Sequence, residues 1–223
     1  MLHPTRLAVK AQDYPLVQPF FLLAPKRRLP LIAREFIGFA TSPGAQAAIA
    51  QAGLIDRGVV RSDLLADGLR LANAIRAAGD DLPMAELQRL TAAMQGTERL
   101  SLTFRFDGAA GQLDAVSEAH LADLVRMIEA GSLSDRMLIF AGFSDGQGTA
   151  ARNRDLSLAR ANALRDRVAA AVPDLGDLRV TLGTDAFGEA LPMACDESPT
   201  GRQLNRRVEL WLRPATGSAA REN

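Results

Sequence analysis

The chain has 223 residues, enough for one large domain or two small ones, and its 48% apolar content supplies material for real cores. Its 26 basic residues balance its 26 acidic ones, which argues against an electrostatic grip on nucleic acid or on an anionic membrane surface. Cys195 is the only cysteine and the two histidines, His3 and His120, lie far apart, so an intrachain disulfide and a Cys-rich or paired-histidine metal site are excluded, and no cofactor is expected.

Met1 to Lys10 lacks the long apolar core of a signal peptide, and no run of about 18 apolar residues suggests a membrane-spanning helix. Asp13-Tyr14-Pro15-Leu16 reads as an extended entry held by Pro15 and Pro19, and Phe20 to Leu23 as a short buried strand. Ile32, Phe36, Ile37 and Ala40 recur at helical spacing within Leu31 to Ala40. Ser42-Pro43 is a helix start, with the hydroxyl as N-cap and the proline in the first helical position. That helix runs through Gln51 and stops at Gly53. Residues 58–97 read as a helical linker packed on a neighbour. Leu64, Leu65, Leu69, Leu71 and Ile75 form one stripe, and Met84, Leu87, Leu90 and Met94 a second that ends at Gly96.

From Leu100 the period changes to two: Leu100, Leu102, Phe104 and Phe106 alternate with Ser101, Thr103 and Arg105, a strand. Val116 to Ala130 predicts a helix, Met137 to Phe143 a strand, Leu156 to Val172 a second helix, and Leu178 to Leu182 and Arg207 to Leu212 two further strands. The order strand, helix, strand, helix, strand, loop, strand predicts an α+β sandwich, with a small mixed sheet and both helices on one face. Residues 215–223 read as a frayed tail.

Two stretches carry the candidate chemistry. The first is Gly142-Phe143-Ser144-Asp145-Gly146, followed by Gly148, Asn153, Leu156-Ser157 and Arg160-Ala161. The second is Gly201-Arg202-Gln203-Leu204-Asn205-Arg206-Arg207-Val208-Glu209. Asp145 closes a strand in a Gly-rich turn, and the crossover between them brings Arg160 on the next helix back beside it. Such a pair holds a zwitterion, the carboxylate taking an ammonium and the guanidinium a carboxylate. On the residues alone, a structural salt bridge across the turn is an equal reading. Alternation along the last strand sends Arg206 and Arg207 to opposite faces, so at most one of them reaches the site. Asn205 is expected to order the final loop, Cys195 to be a buried or loop thiol, and His120 a boundary residue.

Together these stretches resemble the signature of OmpA-like domains over roughly Leu100 to Arg213. The resemblance implies a β-α-β-α-β-β sandwich that binds the diaminopimelate centre of a peptidoglycan stem peptide without catalysing a reaction. It implies ligand-binding roles for Asp145 and Arg160, with Ser144 beside them, a hydrogen bond from Asn153, and further support from Arg207. One departure is Ala109, which stands where the family often has a small polar residue that touches ligand; Asp107 or a backbone amide is the expected substitute.

The first fifty residues resemble the last portion of a phosphate-type periplasmic solute-binding protein. The resemblance rests on Asp13-Tyr14-Pro15-Leu16 with Phe20-Phe21, on Phe36-Ile37-Gly38-Phe39-Ala40-Thr41-Ser42-Pro43-Gly44-Ala45-Gln46, and on Ala52-Gly53-Leu54-Ile55. The implied organisation is a partial solute-binding lobe at 1–57, the linker at 58–97, the OmpA-like domain at 98–214 and the tail. The implied place is the periplasm, at the cell wall or outer membrane. The partner is peptidoglycan, with an ABC transporter permease if a full lobe exists. The rival implication is a phosphate- or anion-binding transport component that uses the OmpA-like domain as a tether. The missing leader and the partial lobe suggest a piece of a longer secreted protein.

Overall fold

The computed structural model describes residues 4–63, 68–77, 82–107 and 112–215. The chain divides into two compact units, Met1–Val60 and Arg61–Asn223.

The described residues of the first unit form three helices: α1 (Arg6–Lys10), α2 (Leu31–Ala40) and α3 (Pro43–Gln51). The Ser42 hydroxyl accepts from Ala45 N–H at 3.3 Å, so α3 starts as the Ser-Pro signal predicts, and Gly53 closes it with φ +79°. The Lys10 ammonium donates to Asp56 Oδ1 at 2.8 Å and to the Gly58 carbonyl at 2.5 Å, fastening α1 to the end of the unit. That ammonium, opposed by burial, lowers the Asp56 carboxyl below its ordinary value. The strand expected at Phe20 to Leu23 does not form, and Phe20 is 81% and Leu23 90% exposed. Pro15, Pro19, Pro25 and Pro30 punctuate this stretch and remove ladder donors, and the described residues of the unit offer it no sheet.

The second unit is built on a six-stranded sheet. Its strands are β1 (Arg61–Ser62), β2 (Glu98–Asp107), β3 (Gln112–Leu113), β4 (Arg136–Phe143), β5 (Val180–Ala186) and β6 (Arg207–Pro214). The order is β1-β2-β6-β4-β5, with β3 paired to β2. Strands β2, β6 and β4 are antiparallel neighbours, whereas β4 and β5 run parallel, so the sheet is mixed. The β4–β5 crossover is α7 (Ala150–Ala171), and α6 (Ala115–Glu129) joins β3 to β4.

Registers assign the two faces. Phe104 pairs with Val208 and Val208 with Gly142, all on the side of α6 and α7. There Phe104 meets His120 of α6 edge-on, and Gly142 lies so close to α7 that a Cβ would sit 2.1 Å from the Ser157 carbonyl oxygen. This α+β sandwich, with α6 and α7 on one face of a small mixed sheet, is the predicted architecture.

The opposite face is covered as well. Ile139, Ala141, Phe143 and Trp211 pack with Ala74 of α4 (Gly68–Ala77), with Leu87, Leu90 and Met94 of α5 (Met84–Met94), and with Phe187, Ala190 and Leu191. The second stripe of the sequence therefore roofs the sheet. Leu64 and Leu65 of the first stripe lie outside the described residues. Under this roof the alternating polar residues of β2 are buried too. Glu209, fully buried, accepts from Arg70 Nη2 and Arg207 Nε, each at 2.8 Å, and from Trp211 Nε1 at 3.1 Å, with Arg99 Nε at 3.2 Å. Burial alone would raise the Glu209 carboxyl, but Arg70, Arg99 and Arg207 outweigh it and hold the group well below the usual carboxylate range.

Candidate functional site

Three strand ends meet at one end of the sheet. Strand β4 leaves it at Phe143, which pairs with Arg207 at the start of β6, and Arg207 pairs in turn with Arg105 near the end of β2. Ser144 and Asp145, Arg206 and Phe106 are the next residues on these three segments, so they gather at one edge.

Local sequence fixes the turn. Gly148 takes φ +106°, a conformation that L side chains avoid, and Thr149 caps α7 by accepting from Arg152 N–H at 3.3 Å. Helix α7 thus begins six residues before the apolar stripe first marks it at Leu156, and Asn153 lies in its first turns. Arg160 follows on the same helix, its guanidinium 5.9 Å from the Phe106 ring centre.

The segment after β5 forms the back wall. Ser144 N–H donates to the Gly188 carbonyl at 2.7 Å, and Gly188 N–H to Ser157 Oγ at 3.3 Å. The Asp196 carboxylate accepts from Gly146 N–H at 2.5 Å and from Asn205 Nδ2 at 2.6 Å, joining the turn to α8 (Pro199–Asn205). Asn205 also accepts from the amides of Met193 and Ala194, which orders the final loop. Ala190, Leu191 and Met193 are buried in that loop, while the Cys195 thiol is exposed.

Asp145, 9% exposed, is bonded to Arg206: Nη1 donates to Oδ2 at 2.6 Å. No hydrogen bond joins Asp145 to Arg160 among the described residues. Their charges still act on each other. Burial lowers the Arg160 guanidinium from its ordinary value, the positive charge of Arg206 adds to that, and Asp145 opposes it. The carboxylate is thus bonded to one guanidinium and acts electrostatically on a second. Beside it, Ser144 Oγ and both side-chain polar atoms of Asn153 are buried, and no described residue hydrogen-bonds them. Buried polar groups without partners are uncommon enough to mark a place for a ligand.

Of the expected residues, Ser144 and Asp145 follow β4, and Asn153 and Arg160 lie on α7, which opens after the same turn, whereas Arg207 lies elsewhere. Its side chain is 1% exposed on the roofed face, against Glu209, the Leu191 carbonyl and the Phe143 ring. Arg206 occupies the site instead. The parity was in the sequence: Val208, Leu210 and Leu212 form the apolar face turned to α6 and α7, and Arg206 shares their even spacing. Asp196 carried no comparable signal, because a long connection brings it to the turn. Ala109 lies outside the described residues, as does the side chain of Asp107.

No family model matches the chain. Among solved structures, the peptidoglycan-associated lipoprotein from Burkholderia pseudomallei is similar at 22% identity, covering 50% of this chain and 89% of that one, with a TM-score of 0.43. The periplasmic domain of Helicobacter pylori MotB is similar at 17% identity, covering 56% and 79%, with a TM-score of 0.43. In sequence, the chain is 31% identical over 112 residues to outer membrane porin F of Pseudomonas aeruginosa, a match that takes in half of this chain and spans 30% of the porin's length.

Proposed function

We propose that the second unit binds peptidoglycan non-covalently by gripping the opposite charges of diaminopimelate in a stem peptide. Asp145 takes the ammonium and Arg160 the carboxylate, while Ser144 and Asn153 supply hydrogen bonds from the buried side of the turn. The observation that carries this reading is the convergence of Asp145, Arg160 and two unpartnered buried polar side chains at one end of the sheet. The OmpA-like signature at these same positions supports it. Under this proposal the protein works in the periplasm as a wall-anchored binding protein and catalyses no reaction. The first unit is the remnant of the solute-binding lobe that the anchor holds. Affinity for a single stem peptide is modest, because one zwitterion clamp buries little surface.

Purified sacculi provide the test. Asp145→Ala and Arg160→Ala are each expected to cut retention on sacculi by roughly tenfold or more, the loss of one charge-assisted contact. Wild-type retention by both variants, with unchanged circular dichroism, would rule the site out.

A further inference from the structure

We propose that Asp196 is a positioning residue of this site: its carboxylate holds the turn that presents Asp145, and the hold requires both of its oxygens. The inference rests on the zwitterion reading above.

The two residues flanking Asp145 are both tied to the connection that follows β5. Ser144 N–H donates to the Gly188 carbonyl at 2.7 Å, and Gly146 N–H donates to Asp196 Oδ2 at 2.5 Å. The first tie joins backbone to backbone and needs no particular side chain. The second depends on one side chain. Within the turn itself, the Asp145 carboxylate receives only a long contact from Gln147 N–H at 3.4 Å, so the Gly146 tie is the stronger constraint on that side of Asp145.

Asp196 is itself held. Its other oxygen, Oδ1, accepts from Asn205 Nδ2 at 2.6 Å, and its backbone carbonyl accepts from Arg202 Nη1 at 2.6 Å. Asn205 cannot turn its amide over. Its Oδ1 already accepts from the Met193 and Ala194 amides at 2.7 and 3.0 Å, and its Nδ2 also donates to the Ala194 carbonyl at 2.8 Å. Each Asp196 oxygen therefore faces a fixed donor. An asparagine of the same size offers one acceptor oxygen and one donor group, so one of the two contacts would set donor against donor. Gly146 is exposed and its amide can turn to water, whereas the Asn205 contact is partly buried, so the loss falls on the turn. A loosened turn leaves Asp145 to be ordered at the moment of binding, which weakens affinity.

The full chain, labelled with nitrogen-15, is titrated with the tripeptide L-Ala-γ-D-Glu-meso-diaminopimelate. Asp196→Asn is expected to raise the dissociation constant about fivefold, the scale of one hydrogen bond. Its Gly146 amide proton is expected to move upfield and to exchange faster with water while the Met193 and Ala194 amides stay in place, a local signature that a general loss of stability does not give. Glu197→Gln removes the same charge from the neighbouring exposed residue and is expected to bind as wild type does, which separates position from charge. Unchanged affinity in Asp196→Asn, an unmoved Gly146 signal, or equal weakening in Asp196→Asn and Glu197→Gln each overturns the inference and leaves the zwitterion site standing. If Asp196→Asn fails to fold, Asp196→Ala is read by the same criteria. Failure of wild type to bind the tripeptide, or binding by Asp145→Asn at wild-type affinity, removes the underlying site and the inference with it.

Discussion

At the scale of single residues, the unit places its carboxylates in two contrasting settings. Asp145 keeps a little exposure and is bonded to one arginine, Arg206, whose own side chain is 27% exposed. Glu209 is fully enclosed and fixed by three guanidiniums and an indole. Removing one member of a buried ionic group leaves the others uncompensated, and Glu209→Gln is expected to lower the unfolding free energy by about 3–5 kcal/mol in urea titrations. The pH sign follows from the lowered carboxyl. A carboxylate depressed in the folded state stabilises above the ordinary carboxyl range and loses that contribution as pH falls through the folded-state value. Wild type is expected to lose stability below roughly pH 4, and Glu209→Gln to show a shallower acid decline. Equal slopes for the two proteins would contradict this account.

At the scale of elements, close approach decides the packing of α7 on β4. Gly142 faces the Ser157 backbone with no room for a methyl group, and that contact seats the helix that carries Arg160. Gly142→Ala is expected to cost about 3 kcal/mol or more and to reduce sacculus retention along with stability. A urea midpoint within experimental error of wild type would mean that α7 shifts freely, and the positional argument would fail. The main strands and both helices of the sandwich were legible because their periods of two and 3.6 are carried by apolar side chains. The start of α7 was not, since Ala150-Ala151-Arg152-Asn153-Arg154 holds no apolar stripe and its cap, Thr149, follows a glycine turn. Helix α8 was missed although Ser198-Pro199 repeats the cap-and-proline signal read at Ser42-Pro43. The difference is length: seven residues with no apolar face give periodicity nothing to work on. Strand β3, two residues long, is defined only by its pairing with β2. The site itself was half legible. The turn and its carboxylate stand together in sequence, whereas Arg206 and Asp196 reach it only through strand register and a long connection.

At the scale of the whole molecule, the two units differ in how completely they bury their apolar residues. The second has a core on each face of its sheet, whereas the first leaves Phe20, Leu23, Ile32 and Phe36 more than half exposed. A unit with its own core is expected to fold by itself. A chain beginning at Arg61 should therefore unfold cooperatively in urea and keep wild-type retention on sacculi, and precipitation or a gradual transition would contradict that independence. The stack of Phe143, Phe187 and Trp211 has a practical corollary. Trp211 is the sole indole of the chain, is 1% exposed, and donates to Glu209, while the sole phenol, Tyr14, belongs to the other unit. Each half of the molecule thus carries its own intrinsic fluorophore. Selective excitation of the indole follows the collapse of the roofed sheet, unmixed with whatever the amino-terminal helices do.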